Sequence, residues 1–349
     1  MSSLEEYIEK LGHPDETERI YAAEDIGYLN VADGVPALLA RLGKESSRAV
    51  CDVIFQALIR IDSDSAIEGS IGLLRSDDPQ IRNQAVDVLR QKGKRSIPFL
   101  TLAMRDGDKN LRKLVLDILA GGQASNAQDI YAAALEDNDL NVVITAVENL
   151  GKLRSAEFRN QIENLLQSNS HPMLVAACME ALVGIGDETS MLAIRRCFPD
   201  LSALPDFLLA SCLKAIAVVG SATEFSEVAK LLLVRGPHLR PAILSALTAM
   251  RLRCQSLDAD ESFLVEVIAV IEDGDPPLCR YQAVRLLGFW ALRDDVDKFL
   301  VACLSHPERL VRIGAAESLR MTGRSGFELD LSTRALTETD DEVLEALKC

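Results

Sequence analysis

Apolar residues along this chain recur at helical spacing, three and four apart, and the whole pattern recurs at a longer period. A small or medium apolar residue stands at Ala22, Ile54, Ala85, Val115, Ala146, Cys178, Cys212, Ile243, Ala283 and Ala315. Four residues after each comes Ile26, Leu58, Leu89, Leu119, Leu150, Leu182, Ile216, Leu247, Leu287 and Leu319. Successive units are 30 to 34 residues apart, apart from one spacing of 40 between Ile243 and Ala283. A fixed period in this range is the mark of a repeat architecture.

Every unit follows one plan. It opens on a turn and helix-start signal such as His13-Pro14-Asp15, Asp78-Pro79, His171-Pro172 or His306-Pro307, because Pro suits a first helical turn where its missing N–H is not needed. A first amphipathic helix follows, then Gly or a polar cluster, as at Gly93, Gly121-Gly122, Gly151, Gly220 and Gly323. A second helix closes the unit, predicted at residues 96–105, 126–136, 157–167 and 224–234 in four of them. One such hairpin cannot bury its own apolar stripe, so stacked neighbours must supply the missing surface. The expectation is an all-α protein, an α-solenoid with a right-handed superhelix of about ten helix pairs. It forms a single domain over 1–349, with capping helices at 1–12 and 340–349. Ser3 followed by Glu6 is a capping-box pattern for the first of these caps, and Asp340-Asp341-Glu342 suits the start of the second. At roughly 8–10 Å per layer, the stack would extend on the order of 100 Å.

The strings Ile81-Arg82-Asn83-Gln84-Ala85-Val86-Asp87-Val88-Leu89 and Val311-Arg312-Ile313-Gly314-Ala315-Ala316-Glu317-Ser318-Leu319 resemble HEAT repeats, specifically the short bacterial kind called phycobilisome-lyase HEAT-like repeats. The likeness covers essentially the whole chain. It speaks to fold more than to function, since sites are grafted on folds. A second repeated feature is an acid–Arg pair four residues apart at first-helix starts: Asp15/Arg19, Asp78/Arg82, Asp108/Arg112 and Glu308/Arg312, with Arg280 following Asp275. Acid-before-base pairs at this spacing support a helix by a few tenths of a kcal/mol. The resemblance implies that such a ladder ties neighbouring units together. A row of arginines for phosphate or carboxylate ligands is the rival reading, and Val143, Val175 and Leu209 interrupt it.

Composition then narrows the function classes. The chain has 53 acids against 37 bases, a net charge of −16, and 5% aromatic residues. Such a charge repels phosphate backbones, so no nucleic acid is expected as a partner. This also counts against the HEAT-like DNA glycosylases. No run approaches 18 apolar residues, so no membrane partner is expected. The N-terminal segment lacks the features of a signal peptide, and a cytoplasmic protein is expected. The cysteines at 51, 178, 197, 212, 254, 279, 303 and 349 form no C-x-x-C pair and read as buried small hydrophobes. His13, His171 and His306 each precede a Pro, and His238 follows one. None is followed by Glu, whereas the HEAT-repeat enzyme deoxyhypusine hydroxylase holds iron with His-Glu pairs. No catalytic, cofactor-binding or metal residues are assigned, and no cofactor is expected. Bilin lyases place paired Trp where this chain has Glu24-Asp25 after Tyr21-Ala22-Ala23.

Two irregularities bear on function. Between Val228 and Leu257 there is no acid, yet Lys230, Arg235, Arg240, Arg251 and Arg253 are present, and residues 258–275 hold seven acids and no base. The 40-residue spacing places about eight extra residues at 251–262, and insertions in repeat proteins collect on a face that often binds. Trp290, the single Trp, is either a core ring or an interface anchor. The expected function is a non-enzymatic scaffold or adaptor that holds another protein, through an acidic or helical segment, along a concave groove lined by second helices. The expected partner-binding residues are Arg195, Arg196, Arg235, Arg240, Arg251, Arg253 and Trp290. The alternative is a lyase-like or chaperone-like accessory protein handling a bilin or another cofactor.

Overall fold

In a computed structural model, the structure describes residues 3–121, 127–272, 274–321 and 325–348, and these fall into two compact units, Met1–Leu153 and Arg154–Cys349. Unit 1 opens with α1 (Leu4–Lys10). It continues through α2 (Glu16–Leu29) with α3 (Val35–Leu42), α4 (Arg48–Arg60) with α5 (Asp64–Leu73), α6 (Pro79–Lys92) with α7 (Ile97–Ala103) and α8 (Lys109–Gly121) with α9 (Gln128–Leu135), and ends at α10 (Leu140–Lys152). Unit 2 opens with α11 (Arg159–Ser168). Then come α12 (Pro172–Ile185) with α13 (Ser190–Cys197), α14 (Asp206–Val219) with α15 (Ala222–Val234) and α16 (Arg240–Arg253) with α17 (Glu261–Glu272). It closes with α18 (Pro277–Leu287) and α19 (Asp294–Cys303), α20 (Arg309–Met321) and α21 (Glu328–Ala335), and a last helix, α22 (Asp341–Lys348). No strand occurs among the described residues. Each unit is an α-solenoid stack of helix pairs, about ten pairs in all among the described residues. Within each unit, successive first helices pack side by side and each second helix packs on its neighbours.

The two repeated rows form the core of this stacking. All twenty positions, from Ala22 and Ile26 to Ala315 and Leu319, are buried, and none is more than 3% exposed. Small residues let first helices approach closely: a methyl group on Gly27 of α2 would lie 2.9 Å from the side chain of Ala57 in α4. Several second helices are shorter than their sequence suggests. Residues 93–96 and 156–158 form 3-10 turns before α7 and α11, and Pro98 then stands in the first turn of α7. The predicted start at Asn126 lies outside the described residues, as do Gly122, Gly323 and Cys349. α15 starts at Ala222 under a full capping box, Ser221 with Glu224.

The acid–Arg ladder is built differently from the expected i,i+4 pairs. Asp15, Asp78 and Asp108 spend their carboxylates on the N–H groups of Thr17, Gln80 and Asn110, at 2.8–2.9 Å. The arginines reach forward instead. Arg19 donates two bonds to Glu45, Arg112 two to Asp137 and Arg312 two to Glu338, at 2.7–3.2 Å. Each also donates to a carbonyl of the turn before its own helix, at His13, Asp106 and His306. The three acids in turn accept the N–H of Ser47, Asp139 and Asp340, where the next first helix begins. One guanidinium therefore clamps two consecutive turns. Burial pushes the carboxyls of Glu45 and Glu338 upward. Their hydrogen bonds, from Arg19, Ser47 and Arg41 to Glu45 and from Asp340, Arg312 and Thr339 to Glu338, outweigh it and hold both at about 2. Arg82 keeps only the backward half, to Ser76 and Asp77, and Asp106 pairs with Arg75 instead.

Candidate binding surfaces on the second unit

The arginines expected to form one basic island are separated and occupied. Arg235 and Arg240 flank the start of α16, whereas Arg251 and Arg253 stand at its end. At 1.5 Å per residue, Arg240 and Arg251 are roughly 16 Å apart along the axis. Arg195, on α13, bridges Glu224 and Glu227 of α15. Arg235 donates to the carbonyls of Ser202 and Leu204 and pairs with Asp206. Arg240 pairs with Asp275, and Arg253 donates to the carbonyl of Gly220. Arg196 and Arg253 are both exposed, and Arg196 is bonded to no more than a glutamine, Gln167. Most of the positive charge thus serves the stacking of neighbouring repeats, and the structure brings no basic surface together here.

Trp290 is interior, 6% exposed, and so is not an interface anchor. Its ring packs on Phe225, Phe263 and Phe289 at centroid distances of 6.2, 5.7 and 6.3 Å. The Arg251 guanidinium lies 5.4 Å from the Trp290 ring and 5.5 Å from that of Phe289, a cation–π arrangement that holds Arg251 inward.

The extra residues of the long repeat do form a loop where the sequence placed them, between α16 and α17. Leu257 and Ala259 are buried, and Arg293 fastens the loop by donating to the carbonyl of Ala259 at 2.9 Å. The loop walls a small cleft of about 80 Å³ between α15 and α17. Phe225, Ala229, Ala259 and Phe263 line its apolar part, and Lys230, Leu233, Asp258, Asp260 and Glu266 supply much of its rim. Asp260 caps α17 by accepting the N–H of Phe263 at 2.8 Å. That bond above all, with the Ser262 hydroxyl, lowers its pKa.

A second surface follows from the helix starts and went unread in the sequence. The second residue of each first helix in unit 2 is apolar: Met173, Phe207, Pro241, Leu278 and Leu310. Met173, Phe207 and Leu278 are 59%, 52% and 61% exposed. The equivalent residues of unit 1 are Thr17, Ala49, Gln80, Asn110 and Asn141. Aligning the repeats on their helix starts rather than on their buried rows would have shown it.

Among the described residues, no three His, Cys, Asp or Glu side chains are placed to hold a metal ion. Burial pushes the thiols of Cys178, Cys212 and Cys303 up to about 12, as suits core cysteines. No helix among the described residues is long and apolar enough to cross a membrane.

Comparison with known proteins agrees on the class. Residues 97–183 match the HEAT repeats family. No curated protein matches the sequence. Solved solenoids match nearly end to end: importin beta in an ammonium sulfate condition (13% identity, 98% of this chain and 56% of that one, TM-score 0.61), and the Kap95:Nup1 complex (12%, 99% and 55%, 0.61). The karyopherin Kap121p bound to the extreme C-terminus of the protein phosphatase Cdc14p also matches (14%, 99% and 45%, 0.56). At such identities the likeness shows the fold, and this chain spans about half the length of these proteins.

Proposed function

We propose that this chain is a non-enzymatic, cytosolic scaffold whose second unit holds another protein. The observation that carries the reading is the apolar edge of unit 2, where Met173, Phe207 and Leu278 stand in water at one repeated position. Isolated exposed apolar residues need no explanation, but the same position left apolar in repeat after repeat marks an interaction surface. Affinity would come from a few desolvated anchors on this edge rather than from total area. Two of the similar solenoids are described as complexes with, or bound to, protein partners, which supports recognition of a polypeptide. The acidic guest expected from the sequence has less support, because Arg195, Arg235 and Arg240 pair with acids of the chain itself.

The test is site-specific photocrosslinking in the source cells, with the reactive residue at position 207 or, in unit 1, at position 80. Discrete adducts are expected from 207 and not from 80. Excess wild-type protein should compete them away, and excess Phe207→Asp protein should not. Equal labelling at the two positions, or competition by both proteins, overturns the reading.

A further inference from the structure

We propose that the notch between the starts of α12 and α14 receives an arginine side chain of the partner, in the place where other repeats carry a clamp arginine of their own. The inference rests on the reading of the apolar edge and names the chemistry of what that edge holds. Clamp arginines stand three residues before the small-residue row, at Arg19, Arg82, Arg112 and Arg312. Each donates to carbonyls five or six residues back: His13 and Pro14, Ser76 and Asp77, Asp106, and His306 and Pro307. In α12 that position is Val175, so the turn over 167–171 lacks its clamp arginine. The equivalent carbonyls are those of Asn169 and Ser170, and neither accepts a hydrogen bond among the described residues. The space a guanidinium would fill is open instead. It forms a notch of about 320 Å³ whose walls include Leu166, Asn169, Ser170, Val175, Phe198 and Leu208.

Val175, Phe198 and Leu208 give an apolar surface for a methylene stem, and the two carbonyls give acceptors at its end. A guanidinium carries five N–H donors in a planar fork and no acceptor, whereas a carboxylate cannot serve carbonyls, which are acceptors themselves. No charged side chain lines the notch. Asp200 stands in the turn before α14, as Glu45 and Asp137 stand in the turns before α4 and α10. One of its oxygens accepts the N–H and hydroxyl of Ser202, and the other accepts no bond among the described residues. The chain itself shows a guanidinium arriving from outside a repeat, one turn further on. α14 has Leu209 at the clamp position, and Arg235, from the next turn, donates to the carbonyls of Ser202 and Leu204. Met173 and Phe207 stand two residues and one residue from the walls Val175 and Leu208, so residues flanking an anchored arginine reach the exposed edge. At −16, the chain attracts a basic segment. Arg196, bonded to Gln167 of the notch, opposes it locally.

The probe is a fluorescein-labelled peptide with one arginine between two leucines, titrated into the purified full chain and followed by anisotropy. Versions with citrulline, lysine or leucine in place of the arginine serve as comparators. Saturable binding is expected for the arginine peptide, about tenfold weaker for the citrulline and lysine versions and absent for the leucine version. Asp200→Asn should weaken it several-fold and Arg196→Gln should strengthen it. Val175→Arg, which supplies the guanidinium from within, should abolish it while raising the urea midpoint. Asp200 and Arg196 lie on the surface, so their variants carry the test if Val175→Arg does not fold. The proposal is overturned if the arginine peptide does not bind saturably or if the citrulline version binds as tightly. It is equally overturned if the Asp200→Asn and Val175→Arg proteins bind like wild type. The reading of the edge fails on different data, the crosslinks from position 207. Discrete adducts there that excess Val175→Arg protein displaces as well as wild type would overturn the arginine anchor and leave that reading standing.

Discussion

The two units repeat the same interior pattern and differ at their helix starts. In unit 1, the first helices α2, α4, α6, α8 and α10 begin under Asp15, Ser47, Asp78, Asp108 and Asp139, each accepting a backbone N–H of the first turn. In unit 2, His171, Pro205, Leu239 and Pro276 precede α12, α14, α16 and α18, and none makes a side-chain cap bond. A good N-cap contributes about 1 kcal/mol, so unit 2 forgoes several kcal/mol at these four positions. It gains an edge of Pro and exposed apolar side chains. Giving up local stability for surface chemistry is what a binding face does and a spacer does not. The comparison teaches that in a repeat protein function is found where the repeats stop agreeing.

The largest expected effect tests the shared part. Leu150 in α10 and Leu247 in α16 occupy the same register and are fully buried. Leu150→Asp and Leu247→Asp should each destabilise the unit that holds them by more than about 4 kcal/mol, since an unpaired charge would enter the core. Urea unfolding of each variant measures this. Unchanged stability in either would show that the register differs between the units.

The clamps come next. Glu338→Gln removes the charge that Arg312 and Arg334 meet and should cost about 2 kcal/mol, the scale of hydrogen bonds to charged groups. Acid carries the same signature in both units. Glu45 in unit 1 and Glu338 in unit 2 are held at about 2 from an ordinary 4.5. Their contribution is therefore complete above about pH 4.5 and lost as the pH falls toward 2. Urea midpoints should drop over that window, and less steeply in a Glu45→Gln, Glu338→Gln variant. An identical slope in that variant would remove the clamps from the account.

These contacts also mark how far the sequence could be read. The repeat was legible because stacking requires the same buried positions in every unit, and all twenty proved buried. The clamp's arginines were legible and their partners were not. Periodicity pairs Arg19 with Asp15, four residues back, while the fold pairs it with Glu45, 26 residues on. The basic island failed for the converse reason. Arg240 and Arg251 fall in one acid-free stretch of sequence, but a helix holds them apart at opposite ends of α16. The inserted loop was visible as a spacing of 40, whereas its fastening by Arg293 to the carbonyl of Ala259 needed coordinates.

A smaller effect sharpens the contrast in capping. His171 precedes α12 with extended backbone, φ −69° and ψ 120°, close to that of the capping residue Asp15. His171→Asp should accept an N–H of the first turn and stabilise unit 2 by about 1 kcal/mol. It should leave photocrosslinking at position 207 unchanged. A gain in stability together with lost crosslinking would mean that the missing cap itself serves binding.

The smallest expected change in stability belongs to the residue expected to matter most for function. Phe207 is 52% exposed at the second position of α14, so its ring contributes little to the core. An acid in a first helical turn is favoured by the helix dipole. Phe207→Asp should therefore shift stability by no more than about 0.5 kcal/mol. Gln80→Asp, at the equivalent position of α6, should behave the same way in unit 1. The two variants should separate in the competition experiment, where Phe207→Asp fails to displace the partner and Gln80→Asp displaces it like wild type. If both compete equally well, the apolar edge is ordinary surface, and the comparison between the units reduces to one of helix capping alone.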